Sequence, residues 1–66
     1  MTITLNEKKE IINKNTSIFD FLKSKDIKLE QVIIEYNSVI TKRDNWKNII
    51  LKENDNLEVL RFVGGG

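Results

Sequence analysis

The sequence predicts an α+β fold in which a single helix covers one face of a mixed sheet. Three observations lead there. Alternating or β-branched runs stand near the start, in the middle and near the end of the chain. A single stretch carries helical spacing behind a capping residue. The length, 66 residues, leaves room for one domain. A chain of this size buries only about 60% of the surface exposed when unfolded, so its core is thin and each large apolar residue counts.

Thr2-Ile3-Thr4-Leu5 alternates polar and apolar side chains, the pattern of a half-buried strand. Asn6 to Lys9 is polar and suits a turn, and Glu10-Ile11-Ile12-Asn13 predicts a second short strand completing a hairpin. Either Ile11 or Ile12 faces inward, since neighbours on a strand point to opposite sides. Ser17 then predicts a helix N-cap, with Asp20 three residues later as an acidic variant of the capping box. Ile18, Phe21 and Leu22 have the spacing of one buried helical face, while Lys23 and Lys25 suit the negative end of the helix dipole. At roughly two to three turns this helix is unstable alone and must dock on a sheet.

Val32-Ile33-Ile34-Glu35-Tyr36 predicts the third strand, Asn37-Ser38 a tight turn, and Val39-Ile40-Thr41 a brief fourth strand. Lys42 to Lys47 reads as a short helical turn around Trp46, whose size in a thin core marks it as a packing residue. Glu53-Asn54-Asp55-Asn56 is a second turn cluster, and Leu57 to Val63 the last strand. The order strand, strand, helix, strand, short strand, strand fits a β-grasp, four to five strands curled around one helix. The domain is expected to span residues 1–63, with residues 64–66 as a flexible glycine tail.

Composition removes several classes of function. The chain has no Cys and no His, which excludes disulfides, thiolate or imidazole metal ligation, and Cys- or His-based catalysis. Neither EF-hand spacing nor a P-loop is present, so no metal or cofactor site is expected. The formal charge is +1, with acids and bases interleaved as in Glu7-Lys8-Lys9-Glu10. No basic stripe follows, and no nucleic-acid partner is expected. Long apolar runs are missing too, so neither a signal peptide nor a membrane span is predicted, and the expected compartment is the cytoplasm.

The chain ends Gly64-Gly65-Gly66, directly after the apolar last strand. Such an ending is read as a flexible linker, as a scar of expression, or as a functional group. In the functional reading, glycines permit close approach by another protein. Three residues reach about 10 Å, enough to thread a carboxylate into a partner's active site. That carboxylate, on Gly66, is an anion able to attack the α-phosphate of ATP and become an acyl-adenylate that a sulfur nucleophile can then displace. The partner enzyme must bring ATP and Mg²⁺.

The sequence also resembles the sulfur carriers of thiamine biosynthesis, the ubiquitin-like ThiS family. The matching features are the Ile3/Leu5 opening strand, Ser17-Ile18-Phe19-Asp20-Phe21-Leu22, and Tyr36-Asn37-Ser38-Val39-Ile40-Thr41-Lys42-Arg43-Asp44-Asn45-Trp46. The Asn54-Asp55 turn and Phe62-Val63-Gly64-Gly65-Gly66 complete them. Where the family often has Val-Pro-Arg-x-x-Trp, this chain keeps Arg43 and Trp46 without the Pro, and Asn54 stands where the acidic turn usually has Gly. The resemblance implies a protein that is acted upon, not an enzyme. A ubiquitin-activating-like adenylating enzyme would activate Gly66, a cysteine desulfurase route would deliver sulfur, and thiazole synthase would accept it. The small subunit of molybdopterin synthase shares the diglycine ending, so another sulfur pathway stays open.

In the last strand Leu57 and Val59 are expected to face the helix, with Leu60 and Phe62 on the other face beside the tail. Leu60 and Phe62 either pack against neighbouring strands or form a docking patch for the partner. Arg43 reads as a surface residue. Two alternatives remain: a non-covalent interaction module with an incidental tail, and a free-standing enzyme relying on carboxylates or lysines alone.

Overall fold

The computed structural model describes residues 1–61; residues 62–66, and with them the expected end of the domain and its glycine tail, lie outside the described residues. Five strands and one α-helix follow in the order β1 (Thr2–Leu5), β2 (Lys8–Ile11), α1 (Ile18–Ser24), β3 (Val32–Tyr36), β4 (Val39–Thr41) and β5 (Asn56–Arg61). Short 3-10 turns at Leu29–Gln31 and Arg43–Asn45 complete the chain. The sheet order is β2-β1-β5-β3-β4. β1 and β5 run parallel at its centre and the other neighbours are antiparallel. A mixed sheet over a single helix is the α+β, β-grasp arrangement that the sequence predicts.

Both hairpins turn on two residues with positive φ, Asn6 (49°) with Glu7 (70°) and Asn37 (50°) with Ser38 (73°). These values match the type I′ turn that suits the twist of paired strands. The tight first turn corrects the expected second strand, which runs Lys8–Ile11 and not 10–13. The polar Lys8 and Lys9 hid it, since β2 is an edge strand where charge is common. The register also settles the isoleucines: Ile11 is 85% exposed, while Ile12, just past the strand, packs on the core.

The helix begins where its cap predicts. Ser17 Oγ accepts the Asp20 N–H at 3.0 Å. The first two amide groups of the helix donate outside it, Ile18 to the Ile49 carbonyl and Phe19 to the Trp46 carbonyl, so the 46–51 segment lies over this end. At the other end Ile27 N–H reaches the Leu22 carbonyl and Asp26 N–H the Lys23 carbonyl, with Asp26 at φ 58°. This is a Schellman closure built on Asp in place of Gly. Lys25 also pairs with Glu10 of β2 at 2.8 Å, fastening the helix to the edge strand.

The core lies between α1 and the inner sheet face. It comprises Ile3, Ile18, Phe21, Leu22, Val32, Ile34, Trp46, Leu51 and Leu57, with Val59 and Tyr36 packed against it. Trp46 is 2% exposed and its Nε1–H donates to the Thr41 carbonyl at 3.0 Å, so packing is its role. A Trp46→Ala substitution should therefore cost about 3–5 kcal/mol of unfolding free energy. In a domain this small that loss should leave a large unfolded fraction at room temperature, as measured by circular dichroism against denaturant.

Candidate functional site

β5 is the strand that leads to the chain's end, and two devices hold it. At its start, Asp55 is 5% exposed yet fully satisfied. Its carboxylate accepts the Lys52 N–H (2.7 Å), the Tyr36 hydroxyl (2.7 Å) and the Asn37 amide (3.2 Å). Asn37 continues the network, its Oδ1 accepting the Asn56 N–H at 2.8 Å and its own N–H donating to the Asn56 carbonyl at 2.8 Å. The Asp55 carbonyl accepts from Thr4 of β1 at 2.9 Å. Asp55 thus ties the β3–β4 turn to the entry of β5 through its carboxylate, and β1 to the same point through its backbone carbonyl. Asn54 precedes it at φ 69°, a conformation Gly adopts freely and Asn tolerates. The second device lies further along. β1 stops beside Leu57, and the Asn6 side chain takes its place, Oδ1 accepting the Val59 N–H at 2.7 Å.

Alternation then sorts β5 into two faces. Leu57 is buried and Val59 packs on the core, as the spacing predicts. Leu60 points to the opposite, outer face and is 45% exposed. Its register partner there is Ile33 of β3, 38% exposed. Glu58 lies directly across from Glu35, and Glu35 across from Ile40 of β4. Ile40 is 67% exposed, so the outer face carries a row of isoleucines and leucine beside two carboxylates. Phe62, Gly64, Gly65 and Gly66 lie outside the described residues. Arg43 is exposed in its 3-10 turn. The outer-face neighbours Ile33, Ile40 and Glu35 were not singled out from sequence. Each strand's alternation was legible, but the register that sets them side by side was not.

Catalytic features are sparse. Among the described residues no three Asp, Glu, His or Cys side chains converge as a metal would require. A shallow depression of about 500 Å³ between β2 and α1 is lined by residues such as Glu10, Ile12, Asp20 and Lys25, none of them from β5. No described helix is long and apolar enough to cross a membrane.

The Asp55 network makes stability depend on pH at both extremes. Burial alone would raise the Asp55 pKa, but the Lys52 N–H, the Tyr36 hydroxyl, the Asn37 amide and the Lys52 charge outweigh it and hold the value below the ordinary 3.8. Tyr36 is pushed up to about 12 by burial, by its hydrogen bond to Asp55 and by that carboxylate's charge. A lowered carboxylate stabilises fully above its unfolded value and loses this as pH falls through the folded one. A raised phenol stabilises fully below 10.0 and loses this as pH climbs towards about 12. Unfolding free energy should therefore decline below pH 3.8 and above pH 10.0. Tyr36→Phe should flatten the alkaline limb. Asp55→Ala, which strands three donors, should cost about 2 kcal/mol or more at neutral pH in denaturant titrations.

Known proteins share this architecture and sequence. The model of the ThiS family matches residues 1–66. The crystal structure of the thiamine biosynthesis protein ThiS from Geobacter metallireducens superposes with a TM-score of 0.88 at 26% identity, over 100% of both chains. A solution structure of a thiamine biosynthesis protein from the same organism gives a TM-score of 0.78 at 25% identity, covering 100% of this chain and 88% of that one. The uncharacterised protein ycf40 of Trieres chinensis is 29% identical over 65 residues, 98% of this chain and 89% of that protein. A thiazole synthase of Magnetococcus marinus is 30% identical across the whole of this chain, which spans 20% of that longer protein. With one family matched from its first residue to its last, and with a β-grasp body whose final strand is pinned at both stages of its course, the chain belongs to the ThiS family.

Proposed function

We propose that this protein is a sulfur carrier of thiazole formation, with the Gly66 carboxylate as the group that is charged with sulfur. The observation that carries the reading is the exit of β5. The strand is anchored at its start by the Asp55 network and still pairs with β3 at Arg61 (register Val32↔Arg61), and the sequence after it reads Phe62-Val63-Gly64-Gly65-Gly66. A rigid strand leading to a narrow ending suits a tail that must enter another protein's active site.

The chemistry takes three steps from that carboxylate. A carboxylate oxygen attacks the α-phosphorus of ATP and expels pyrophosphate, leaving an acyl-adenylate. A persulfide, R–S–S⁻, then attacks the acyl carbon through its outer sulfur and expels AMP, and a thiol cleaves the S–S bond of the resulting acyl disulfide, which releases the thiocarboxylate and leaves a disulfide between that thiol and R–S. A ubiquitin-activating-like adenylating enzyme supplies ATP and Mg²⁺, a cysteine desulfurase route supplies sulfur, and thiazole synthase receives it. In this reading the chain is a co-substrate and not a catalyst, working in the cytoplasm. The partnership with thiazole synthase is supported by the Magnetococcus marinus protein of that name, which contains a stretch matching this whole chain. Gly64 and Gly65 serve in this reading as the threading segment, and Leu60 and Phe62 as contacts for the partner.

Incubation with the adenylating enzyme, ATP and a sulfur source should raise the intact mass by the oxygen-to-sulfur difference, and deletion of Gly66 should abolish the increase with the thermal unfolding curve unchanged. Equal sulfur uptake by the truncated protein would overturn the assignment and leave a non-covalent module. Phe62→Ala and Leu60→Ala should slow adenylation by a larger factor than they reduce folding stability; parallel losses in both assays would make these side chains structural.

A further inference from the structure

The sheet is left open along β2. Met1 and Ile12 exchange both of their main-chain hydrogen bonds, at 2.8 and 2.9 Å, so the bonded pairs that follow between β1 and β2 are Ile3 with Glu10 and Leu5 with Lys8. The intervening residues Lys9 and Ile11 therefore turn their N–H and C=O groups away from β1, and β2 is the last strand on that side. Among the described residues nothing bonds to these groups. Beside the edge runs the depression of about 500 Å³ between β2 and α1, with Ile11, Ile12 and Phe21 as its apolar lining and Thr16, Asp20 and Ser24 among its polar residues. Ile11 is 85% exposed, a large apolar side chain standing on an open strand edge. Main-chain groups without partners, next to a groove, are the arrangement that takes up an added strand.

We propose that this edge binds an extended acidic segment of another protein, added to the sheet antiparallel to β2. The direction follows from the greater stability of antiparallel pairing. Side-chain chemistry follows from register. Ile11 and Lys9 share the outer face with their partners Thr2 and Thr4, whereas Glu10 and Lys8 share the inner face with Ile3 and Leu5. Successive residues of the incoming strand stand opposite Ile12, Ile11, Glu10, Lys9 and Lys8, a series that matches apolar, apolar, neutral, acidic and acidic side chains. Glu10 already pairs with Lys25 at 2.8 Å, so it needs no cation from the peptide. Around the edge as a whole Lys8, Lys9, Lys14 and Lys25 outnumber Glu7, Glu10 and Asp20, which favours an anionic occupant. A second copy of this chain fits poorly. Antiparallel pairing of two β2 edges about a two-fold axis sets Lys9 against Lys9, Glu10 against Glu10 or Lys8 against Lys14 as the register moves along the strand, and like charges directly opposite repel. The proposal goes beyond the carrier reading and does not depend on it. A segment held here leaves β5, two strands away, free to engage another protein.

The test is a titration of the isotope-labelled full-length protein with the end-blocked peptide Gly-Val-Val-Thr-Glu-Glu-Gly, followed by NMR. Saturable shifts are expected at the amides of Lys8 to Asn13 and of Phe21 to Lys25, with slowed hydrogen exchange at Lys9 and Ile11. Two variants read the two parts of the contact. Ile11→Pro removes an N–H that the fold itself does not use, and proline is tolerated on an edge strand, so thermal unfolding should change little while peptide binding is lost. The double substitution Lys8→Glu with Lys9→Glu should weaken binding about tenfold at low salt. A peptide with lysines in place of its glutamates should then bind this variant in preference to the parent. That exchange of charge decides the proposal even if Ile11→Pro impairs folding. No saturable binding by the parent, binding left intact in a folded Ile11→Pro protein, or indifference to the exchange of charge would each overturn the proposal. So would shifts at the same amides that grow with protein concentration in the absence of peptide, because they would assign the edge to a second copy. Deletion of Gly66 should leave peptide binding unchanged, so a failure of the carrier chemistry and a failure of this site are seen separately.

Discussion

A buried carboxylate has to find its donors inside the protein, and in this domain that requirement joins the pieces of the sheet. Asp55 takes hydrogen bonds from Tyr36 at the end of β3, from Asn37 in the β3–β4 turn and from the Lys52 backbone before β5. Tyr36 and Asn37 come from a stretch of chain distant from Asp55, and both would lose this partner if β3 and β5 slid past one another. A one-residue slip would also turn every inward side chain to solvent. The network therefore fixes register at the point where β5 enters between β1 and β3, which is the step that closes a sheet whose central strands are far apart in sequence. Four of the residues that carry the family resemblance fall here. Tyr36, Asn37 and Asp55 are parts of one hydrogen-bonded unit, and Asn54 supplies the left-handed turn that presents it.

With register set, the sheet divides into a covered face and an open one. The helix and the segment through Trp46 cover the inner face, and together they consume the large apolar side chains that a small domain can bury. Among the described residues no element covers the outer face. Its apolar residues remain on the surface beside β5, where Leu60 and Ile33 are partners and the Glu35–Glu58 pair lies next to them.

Function follows from this division. The body offers no nucleophile or metal cluster among its described residues, and the family to which it belongs is tied by its solved members to thiamine biosynthesis. What the fold contributes to the proposed chemistry is mechanical: a final described strand anchored at its start by the Asp55 network and further along by Asn6. Asn6 is part of that mechanism. By bonding Val59 where β1 has already turned away, it extends the support of β5 towards the exit without a further strand.

Local signals sufficed for whatever depends on neighbours in the chain. The capped helix from Ser17, the strands at Val32–Tyr36 and Val39–Thr41, the inward pair Leu57 and Val59, and the packing role of Trp46 all follow from spacing, turn chemistry and side-chain size. The glycine ending and the family likeness were equally visible in the letters. The first hairpin was legible only in outline, because a charged edge strand carries no apolar period to mark where it begins. Tertiary structure alone decided the rest. That Ile12 and not Ile11 turns inward, that Asp55 is buried, and that Glu58 meets Glu35 while Leu60 meets Ile33 are all consequences of which residues stand opposite in the sheet. Pairing between strands distant in sequence is set by the best joint burial of all five at once, and no single segment contains that information.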